Sequence, residues 1–259
     1  MITGANGTVG SALAAYWRDQ GYTAVSWNRA QVPVNDDAGM FAFLRAAQPD
    51  VLFHLAIASQ STGLENEGWI VNRQWPRRLA QLTHELGIRM VFTSSVMVFT
   101  DDAKGPFSID SVPDAQPGSY GHDKLMAEQD VLAANPNAVV ARLGWQIGDA
   151  PGSNNMVDFL HKQMAEHGEI RASGRWYPAC SFVRDTAVAL THLAQSTPGL
   201  YLVDSNTRWT FYEIISALNA LHSHPWRVVE TADFVYDQRM MDERVPMPAL
   251  DKRLPYLAG

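Results

Sequence analysis

Two alternating patterns of apolar residues run along this chain. Short apolar runs of strand length occur at 23–27, 51–55, 90–94, 138–143 and 200–203. Between them, segments 11–20, 38–47, 75–86 and 125–134 carry apolar side chains at helical spacing. Strands that alternate with helices predict a parallel sheet covered by helices on both faces. We therefore predict the α/β class, with a doubly wound parallel sheet of about six or seven strands.

The pattern changes after Gly148. Residues 149–155 are rich in turn-forming types, and the segments beyond them alternate less regularly. We therefore expect a first domain at 1–148, to which a segment near 180–204 returns, and a smaller C-terminal domain at 149–259. Segment 229–259 has weak periodicity and predicts no clear element.

Composition and charge exclude several classes of partner. The chain has 259 residues and a formal net charge of −7, which offers no basic field for a nucleic-acid backbone. No uncharged apolar run reaches the roughly 18 residues of a membrane-spanning helix, and the N-terminus lacks a secretory signal. We therefore expect no nucleic-acid or membrane partner and a cytoplasmic location. With Cys180 as the single cysteine, and His222 and His224 lacking a third ligand, we expect no metal site.

Three glycines open the chain at a strand-to-helix junction. Gly4, Gly7 and Gly10 follow a short apolar run and precede a helical segment. Glycines at this spacing let the backbone turn sharply and approach a pyrophosphate, while the helix N-terminus offers unpaired N–H groups. The turn predicts a Rossmann-like dinucleotide site, and a glycine-rich turn without a ligand is the alternative. Because three residues precede Gly4, either the first strand is unusually short or the natural protein begins upstream.

The residues after the second predicted strand bear on the choice of cofactor. A Rossmann site for NAD typically has an acidic residue about 20 positions after the glycines, which binds the ribose 2′-hydroxyl. Here the strand leads into Asn28 and Arg29, with no acid before Asp36. The guanidinium of Arg29 can pair with a 2′-phosphate, which favours NADP(H) over NAD(H). The alternative is that Arg29 is a solvated loop cation.

Tyr120 and Lys124 lie four residues apart, which on a helix places both on one face. A carbonyl that accepts hydride needs a proton on its oxygen, and a tyrosine can supply it. Because an unperturbed phenol has a pKa of about 10, we expect the Lys124 ammonium to lower the pKa of Tyr120. The alternative is a helical surface pair without function.

Hydroxyl residues end the predicted strand 90–94. Ligands of open α/β sheets gather at the carboxyl ends of the parallel strands, so we expect Ser95 to hydrogen-bond the substrate carbonyl beside Tyr120. Hydroxyl residues at a strand end also serve as simple caps. Ser95, Tyr120 and Lys124 are the candidate catalytic residues.

Taken in order, these motifs resemble the extended short-chain dehydrogenase/reductase superfamily over nearly the whole chain. The matching segments are Gly4-x-x-Gly7-x-x-Gly10, Asp50-Val-Leu-Phe-His54-Leu-Ala56, Val71-Asn72, Ser94-Ser95-Val-Met-Val98-Phe99 and Tyr120-x-x-x-Lys124. Within the superfamily the chain is most similar to the dTDP-4-dehydrorhamnose reductase family. That similarity lies in Thr3-Gly-Ala-Asn-Gly7, Arg142-Leu-Gly-Trp145, Asn154-Asn155 and Pro246-Met-Pro248-Ala-Leu-Asp251.

The resemblance implies a role for each matching residue. Tyr120 would be the general acid, Lys124 would hold the nicotinamide ribose and tune Tyr120, and Ser95 would orient the carbonyl. The candidate cofactor-binding residues are Gly4, Asn6, Gly7, Thr8, Val9, Gly10, Asn28, Arg29, Leu55, Ala56 and Lys124. Trp145 and Trp176 fall in segments that resemble substrate-domain loops, and with Ser95 and Tyr120 they are the candidate substrate-binding residues. We expect His54, on an apolar strand, to be a packed residue.

The chain also departs from the reductase pattern. The family's Ser-Thr-Asp-Tyr-Val-Phe becomes Ser94-Ser-Val-Met-Val-Phe99, which removes an acid and a phenol expected near the sugar. The Gln-x-Gly-x-Pro-Thr segment becomes Ala172-Ser-Gly-Arg-Trp-Tyr-Pro178. The implied chemistry is therefore retained, while the substrate positions differ.

Together these features predict a carbonyl reductase that uses NAD(P)H, with Tyr120 as the proton donor. The resemblance implies that residues 1–148 bind the cofactor and that 149–259 mainly bind the substrate, a keto group on a sugar, plausibly nucleotide-linked. One alternative is a non-catalytic NADP(H)-binding regulator or sensor, and another is a sugar-nucleotide epimerase or dehydratase. Because relatives are commonly dimers, a homodimer is possible.

Overall fold

The computed structural model describes residues 1–59 and 62–257. The strands are β1 (Ile2–Thr3), β2 (Val51–His54), β3 (Arg89–Ser95), β4 (Val139–Leu143), β5 (Trp145–Ile147), β6 (Ile170–Ser173), β7 (Trp176–Tyr177), β8 (Cys180–Phe182), β9 (Gly199–Val203), β10 (Val228–Thr231) and β11 (Tyr236–Asp237). The helices are α1 (Thr8–Asp19), α2 (Asp37–Ala47), α3 (Glu67–Trp69), α4 (Trp75–Leu86), α5 (Tyr120–Ala134), α6 (Met156–His167), α7 (Val183–Leu193) and α8 (Phe211–Leu221). A π-helical turn, Ile70–Gln74, joins α3 to α4. Short 3₁₀ turns lie at Val96–Val98, Leu250–Lys252 and Pro255–Leu257.

Five parallel strands form the central sheet in the order β1-β2-β3-β4-β9. Successive strand residues point to opposite faces, so Leu52 packs with α2, α4 and α5, whereas Phe53 packs with α1 and α7. Both faces are thus buried, as expected for a doubly wound sheet. The predicted α/β class and Rossmann-like architecture are confirmed.

The prediction of a strand at 23–27 is wrong. The segment forms one parallel bridge, between Ser26 and Ile2, with hydrogen bonds of 2.8 and 2.9 Å on either side. The reason is that β1 has only two residues, which leaves its neighbour almost nothing to pair with. Within residues 1–59 and 62–257 the central sheet therefore has five strands and one bridged edge segment, fewer than the six or seven predicted.

The four predicted helices are present, and three of them have shifted ends. The prediction 75–86 agrees with α4, where Pro76 lies in the first turn and Gly87 ends the helix at φ +68°. Helix α5 begins five residues before the predicted 125, because the Ser119 hydroxyl caps it by accepting the N–H of His122. This earlier start places Tyr120 at the first position of the helix.

A second apolar cluster lies beyond the central sheet. It joins α6, α8, β6 and the 3₁₀ turns near the C-terminus, around residues such as Leu160, Ile214 and Leu254. Three two-stranded parallel pairs, β5-β8, β6-β10 and β7-β11, complete this region. Segment 229–257, for which the sequence predicted no element, thus contributes β11, two 3₁₀ turns and most of β10.

None of the described helices is both long and apolar enough to cross a membrane.

Candidate active site

The glycine turn is closed by contacts that leave no room for side chains. Gly4 has φ +68°, and a Cβ placed on it would lie 2.8 Å from the backbone nitrogen of Ala56. A Cβ on Gly10 would lie 2.8 Å from the carbonyl carbon of Gly4. Any larger residue at these positions would push α1 away from the sheet. The turn thus holds the start of α1 directly above the carboxyl ends of β1 and β2.

The first turn of α1 presents the backbone N–H groups that the helix itself does not use. Gly7 precedes the helix and supplies no side-chain cap. Asn6 is exposed beside it, and Val9 packs partly against the apolar cluster between α1 and the sheet. The Thr8 hydroxyl donates to the Ser153 hydroxyl and to the carbonyl of Asn154, each at 3.2 Å. The predicted cofactor residues of this turn are therefore together at one helix N-terminus.

Thr3 joins the glycine turn to the end of β2. Its hydroxyl oxygen accepts the backbone N–H groups of Leu55 and Ala56 at 3.2 and 3.3 Å. It also lies 2.9 Å from His54 Nδ1. Leu55 and Ala56, predicted as cofactor-lining residues, are consequently beside Gly4. Local sequence gives no signal for this role of Thr3, because it depends on contacts with residues more than 50 positions away.

His54 is packed, as expected. Its ring is almost fully buried, 4.8 Å from the Trp75 ring and 5.8 Å from the Phe92 ring. Burial lowers the pKa of His54 well below its ordinary value, and the nearby Lys124 lowers it further. The imidazole is therefore neutral near pH 7 and serves as part of the floor beneath the site.

Asn28 and Arg29 follow the bridged edge segment. Asn28 is exposed, and its side-chain oxygen accepts the N–H of Ala30 at 2.9 Å. Arg29 lies 3.4 Å from a carboxylate oxygen of Glu67, an acid that the sequence analysis did not connect with it. The backbone N–H of Thr62 and then its hydroxyl hold the pKa of Glu67 below its ordinary value, with a further contribution from Arg29. Both side chains of this pair line a cavity of about 490 Å³.

Ser95 ends β3 and begins a 3₁₀ turn. Its hydroxyl accepts the N–H of Met97 at 3.1 Å, which fixes the turn. Its neighbour Ser94 is buried, and among residues 1–59 and 62–257 its hydroxyl has no hydrogen-bond partner. Two hydroxyls therefore lie at the carboxyl end of β3, beside β2 and β4.

The start of α5 rests on this 3₁₀ turn. A Cβ on Gly121 would overlap the carbonyl oxygen of Met97, so glycine alone permits the contact. Tyr120 precedes Gly121, and Met97 is two residues from Ser95. One backbone contact thus brings the Tyr120 turn of the helix to the end of β3.

Lys124 lies one helical turn further along α5. Its side chain is 2% exposed, and Nζ lies 4.3 Å from the centre of the Phe92 ring. Burial lowers the pKa of Lys124 to about 7, and the charge of Glu128 opposes this shift. Arg142 engages the Glu128 carboxylate through two hydrogen bonds of 2.9 and 2.7 Å.

The pKa of Tyr120 differs in direction from the expectation. Burial raises it to about 12, because the phenolate loses its hydration. With a pKa near 7, Lys124 carries only part of its charge at neutral pH and does not reverse this shift. Tyr120 is therefore a phenol at neutral pH, which is the form that donates a proton to a carbonyl oxygen.

Trp145 and Trp176 are brought together by the fold. Their rings are stacked at 6.3 Å, and both contact Phe211, at 6.0 and 4.5 Å. They line a cavity of about 370 Å³ with Phe159, Arg171 and other residues of α6, β6 and the segment after β10. Leu143, the last residue of β4, lies opposite Ser95. Trp145 follows two residues later, at the start of β5, and is therefore close in sequence to the strand end that borders the site.

Among the described residues, no group of three or more His, Cys, Asp or Glu side chains could hold a metal ion. Cys180 is a buried free thiol.

Comparison with known proteins identifies the family. The model of the RmlD substrate binding domain matches residues 1–231. The dTDP-4-dehydrorhamnose reductase of Mycobacterium tuberculosis is 30% identical over 202 residues, which are 76% of this chain and 66% of that protein. The chain thus spans just under two thirds of the length of that curated relative.

Solved structures share the fold. The dTDP-4-dehydrorhamnose reductase of Bacillus anthracis, in complex with NADP, superposes with a TM-score of 0.80 at 19% identity, covering 99% of this chain and 97% of that chain. WbmH of Bordetella bronchiseptica, in complex with NAD⁺, has a TM-score of 0.78 at 17% identity, covering 98% and 94%. The family match includes the glycine turn, Ser95, Tyr120 and Lys124. This chain therefore belongs to the RmlD substrate binding domain family, which confirms its resemblance to the extended short-chain dehydrogenase/reductases.

Proposed function

We propose that this protein is an NAD(P)H-dependent reductase of a keto group on a nucleotide-linked sugar, with Tyr120 as the proton donor. The observation that carries the proposal is the contact of Gly121 with the Met97 carbonyl. It brings Tyr120 to the carboxyl end of β3, next to the strand whose end contacts the glycine turn. A proton donor and a dinucleotide cradle thus lie along one edge of the parallel sheet.

The residues present fit a nicotinamide dinucleotide. The space at Gly4 and Gly10 is too small for any Cβ, and α1 begins without a side-chain cap, so its first N–H groups are available to phosphate oxygens. Leu55 and Ala56 border the turn because Thr3 holds their backbone N–H groups. When bound, the dinucleotide supplies the hydride that reduces the carbonyl carbon. Arg29 supports a preference for NADP(H), since its guanidinium suits a 2′-phosphate.

Each candidate catalytic residue has a separate task. Tyr120 donates its phenolic proton to the carbonyl oxygen as negative charge develops there, a step that its raised pKa leaves available at neutral pH. Ser95, held by Met97, orients the carbonyl. Lys124 binds the nicotinamide ribose through its buried amine. Positioning of this kind supplies much of the acceleration, because a misplacement of about 1 Å can cost on the order of 100-fold.

The second cavity supports the assignment of residues 149–259 as mainly substrate-binding. Its walls are the rings of Trp176 and Phe211, with Trp145 from just before this range, and its lining includes Arg171, which pairs with Asp233 at 3.2 Å. Aromatic faces suit the stacking of a nucleotide base, and an arginine suits a diphosphate. We therefore assign the nucleotide end of the substrate to this cavity and the keto sugar to the side near Ser95 and Tyr120.

The direct test is oxidation of NADPH in the presence of a panel of nucleotide-linked keto sugars and simple carbonyls. We expect Tyr120→Phe to lower kcat by about 10²- to 10⁴-fold, because it removes the proton donor, while cofactor affinity is retained. Tyr22→Phe, at a tyrosine that is 57% exposed, is the matched control and should leave both unchanged.

Two outcomes would replace this proposal. Cofactor binding without oxidation on any carbonyl would indicate a regulator or sensor. Conversion of a sugar nucleotide without net oxidation of NADPH would indicate an epimerase or dehydratase that recycles its cofactor.

A further inference from the structure

The cavity near Arg29 contains a carboxylate that the sequence does not place there. Its described lining includes Arg29, Pro33, Asn35, Thr62 and Glu67. Arg29 and Glu67 are the two charged side chains among the described lining residues, and they lie 3.4 Å apart. They are 38 positions apart in the chain, and the guanidinium contacts the carboxylate directly.

Glu67 is held in this position by its surroundings. Its side chain is 8% exposed, and its two oxygens accept the backbone N–H of Thr62 at 2.7 Å and the Thr62 hydroxyl at 2.9 Å. The π-helical segment after α3 is itself held to the chain that follows β2, because the Asn72 side-chain oxygen accepts the N–H of Ala58 at 3.0 Å. The carboxylate therefore cannot simply rotate into solvent when a ligand enters.

If the proposed function is correct, the Arg29–Glu67 pair lies near the adenosine end of the bound cofactor. Arg29 follows the edge segment bridged to β1 through Ser26, at the same edge of the sheet as the glycine turn. A ribose bound beyond that turn presents its 2′-substituent to the end of this segment. At that point a 2′-phosphate would meet the guanidinium of Arg29 and the carboxylate of Glu67 together.

We propose that Glu67 is a specificity-determining residue that reduces the preference for NADPH over NADH conferred by Arg29. A 2′-phosphate gains an ion pair with Arg29 but is repelled by a carboxylate that lies within a few ångströms of the same guanidinium. A ribose 2′-hydroxyl carries no charge and can donate a hydrogen bond to that carboxylate. The pair therefore penalises the phosphorylated cofactor and accommodates the unphosphorylated one.

The test is a binding measurement on the full chain. Dissociation constants for NADPH and NADH would be measured by titration calorimetry for the native protein, Glu67→Gln and Arg29→Gln. Adenosine 2′-monophosphate and adenosine 5′-monophosphate serve as probes of the adenosine end alone. Glu65→Gln, at an exposed acid two residues away, is the matched control because it changes the net charge equally.

We expect Glu67→Gln to tighten binding of NADPH and of adenosine 2′-monophosphate about tenfold, with NADH changed less than about twofold. The control should leave the ratio of the two affinities unchanged. Arg29→Gln should lower the ratio of the affinity for NADPH to that for NADH. In the double variant Arg29→Gln, Glu67→Gln, this ratio should not exceed the native value.

The inference is overturned if Glu67→Gln leaves the NADPH-to-NADH ratio unchanged, or if it weakens both cofactors equally, which would indicate that Glu67 only supports the loop at Thr62. Glutamine retains an oxygen that can accept the Thr62 N–H, and the melting temperature of the variant separates loop support from charge. Failure of the proposed function looks different: either neither dinucleotide binds the native protein, or NADPH binds but is not oxidised by any carbonyl tested, whatever the residue at position 67.

Discussion

The Lys124 ammonium lies 4.3 Å from the centre of the Phe92 ring, in a side chain that is 2% exposed. The Phe92 ring also stacks on His54, with the two ring centres 5.8 Å apart. Lys124 is therefore held between an aromatic floor and Glu128, whose carboxylate is already bonded to Arg142. An amine in such surroundings loses hydration without gaining a full ion pair, which explains why burial lowers its pKa to about 7.

This burial predicts a pH dependence of stability. An unfolded lysine titrates near 10.4, so between about pH 7 and pH 10 the unfolded chain binds a proton that the folded chain does not. The free energy of unfolding of the cofactor-free protein should therefore rise across this range. Lys124→Met should abolish the Lys124 contribution to that rise and also reduce reductase activity.

Denaturant unfolding measured at several pH values checks this prediction. Lys162→Met is the control, because Lys162 is 67% exposed and pairs with Asp158 at the surface. A Lys124→Met protein that keeps the full pH-dependent gain in stability would contradict the assignment.

The contact of Gly121 with Met97 predicts a strong effect of a single methyl group. Gly121→Ala places a Cβ against the Met97 carbonyl, so α5 must shift or the 3₁₀ turn must deform. We expect a loss of about 1–3 kcal/mol of stability and a fall in kcat on the order of 100-fold, since Tyr120 moves relative to Ser95. Thermal unfolding and steady-state kinetics measure the two effects.

Gly68→Ala is the control for this substitution. Gly68 lies in helix α3, and nothing is found within 4 Å of its added Cβ. If Gly68→Ala and Gly121→Ala lower kcat to the same extent, the close contact is not what positions Tyr120.

Thr3 predicts a link between one hydroxyl and cofactor affinity. Thr3→Val keeps the shape of the side chain but removes the acceptor of the Leu55 and Ala56 N–H groups and the contact with His54. Because unsatisfied buried donors cost about 1–3 kcal/mol, we expect the dissociation constant for the dinucleotide to rise about tenfold. Fluorescence titration with NADPH would measure the change.

Thr83→Val is a suitable comparison, since the Thr83 hydroxyl is also buried and hydrogen-bonded, to Leu79 and Ala80 within helix α4. It should lower stability without altering cofactor binding. Equal affinities in native protein and Thr3→Val would show that Thr3 does not shape the cradle.

The aromatic cavity predicts a separation of substrate from cofactor effects. Trp176→Phe replaces the indole that contacts Trp145 and Phe211 with a smaller ring. We therefore expect the KM for a nucleotide-linked substrate to rise about tenfold, while the affinity for NADPH stays unchanged. Trp226→Phe is the control, because Trp226 is buried in the same apolar cluster but is absent from the described lining of the cavity. An increase in KM for Trp226→Phe alone would place the substrate elsewhere.

Local patterns explain which elements the sequence predicts well. Helix α4 agrees with its predicted bounds because Pro76 and Gly87 mark its ends within the segment itself. Strand 23–27 fails because strand formation depends on a partner, and β1 offers only two residues. The apolar periodicity of α5 begins at 125, whereas the Tyr120–Lys124 spacing already suits a helix; the start at Tyr120 depends on the Ser119 cap, which precedes the apolar pattern.

Residue types and short-range spacing are enough to predict the α/β class and the glycine turn, and to single out Ser95, Tyr120 and Lys124 as candidates. Three features depend on the folded chain: Glu67 contacts Arg29, Thr3 holds the end of β2, and burial rather than the neighbouring amine controls the pKa of Tyr120. These features arise from contacts between segments dozens of residues apart and from the loss of hydration inside the fold. Neither the long-range contacts nor the loss of hydration can be read from local residue spacing.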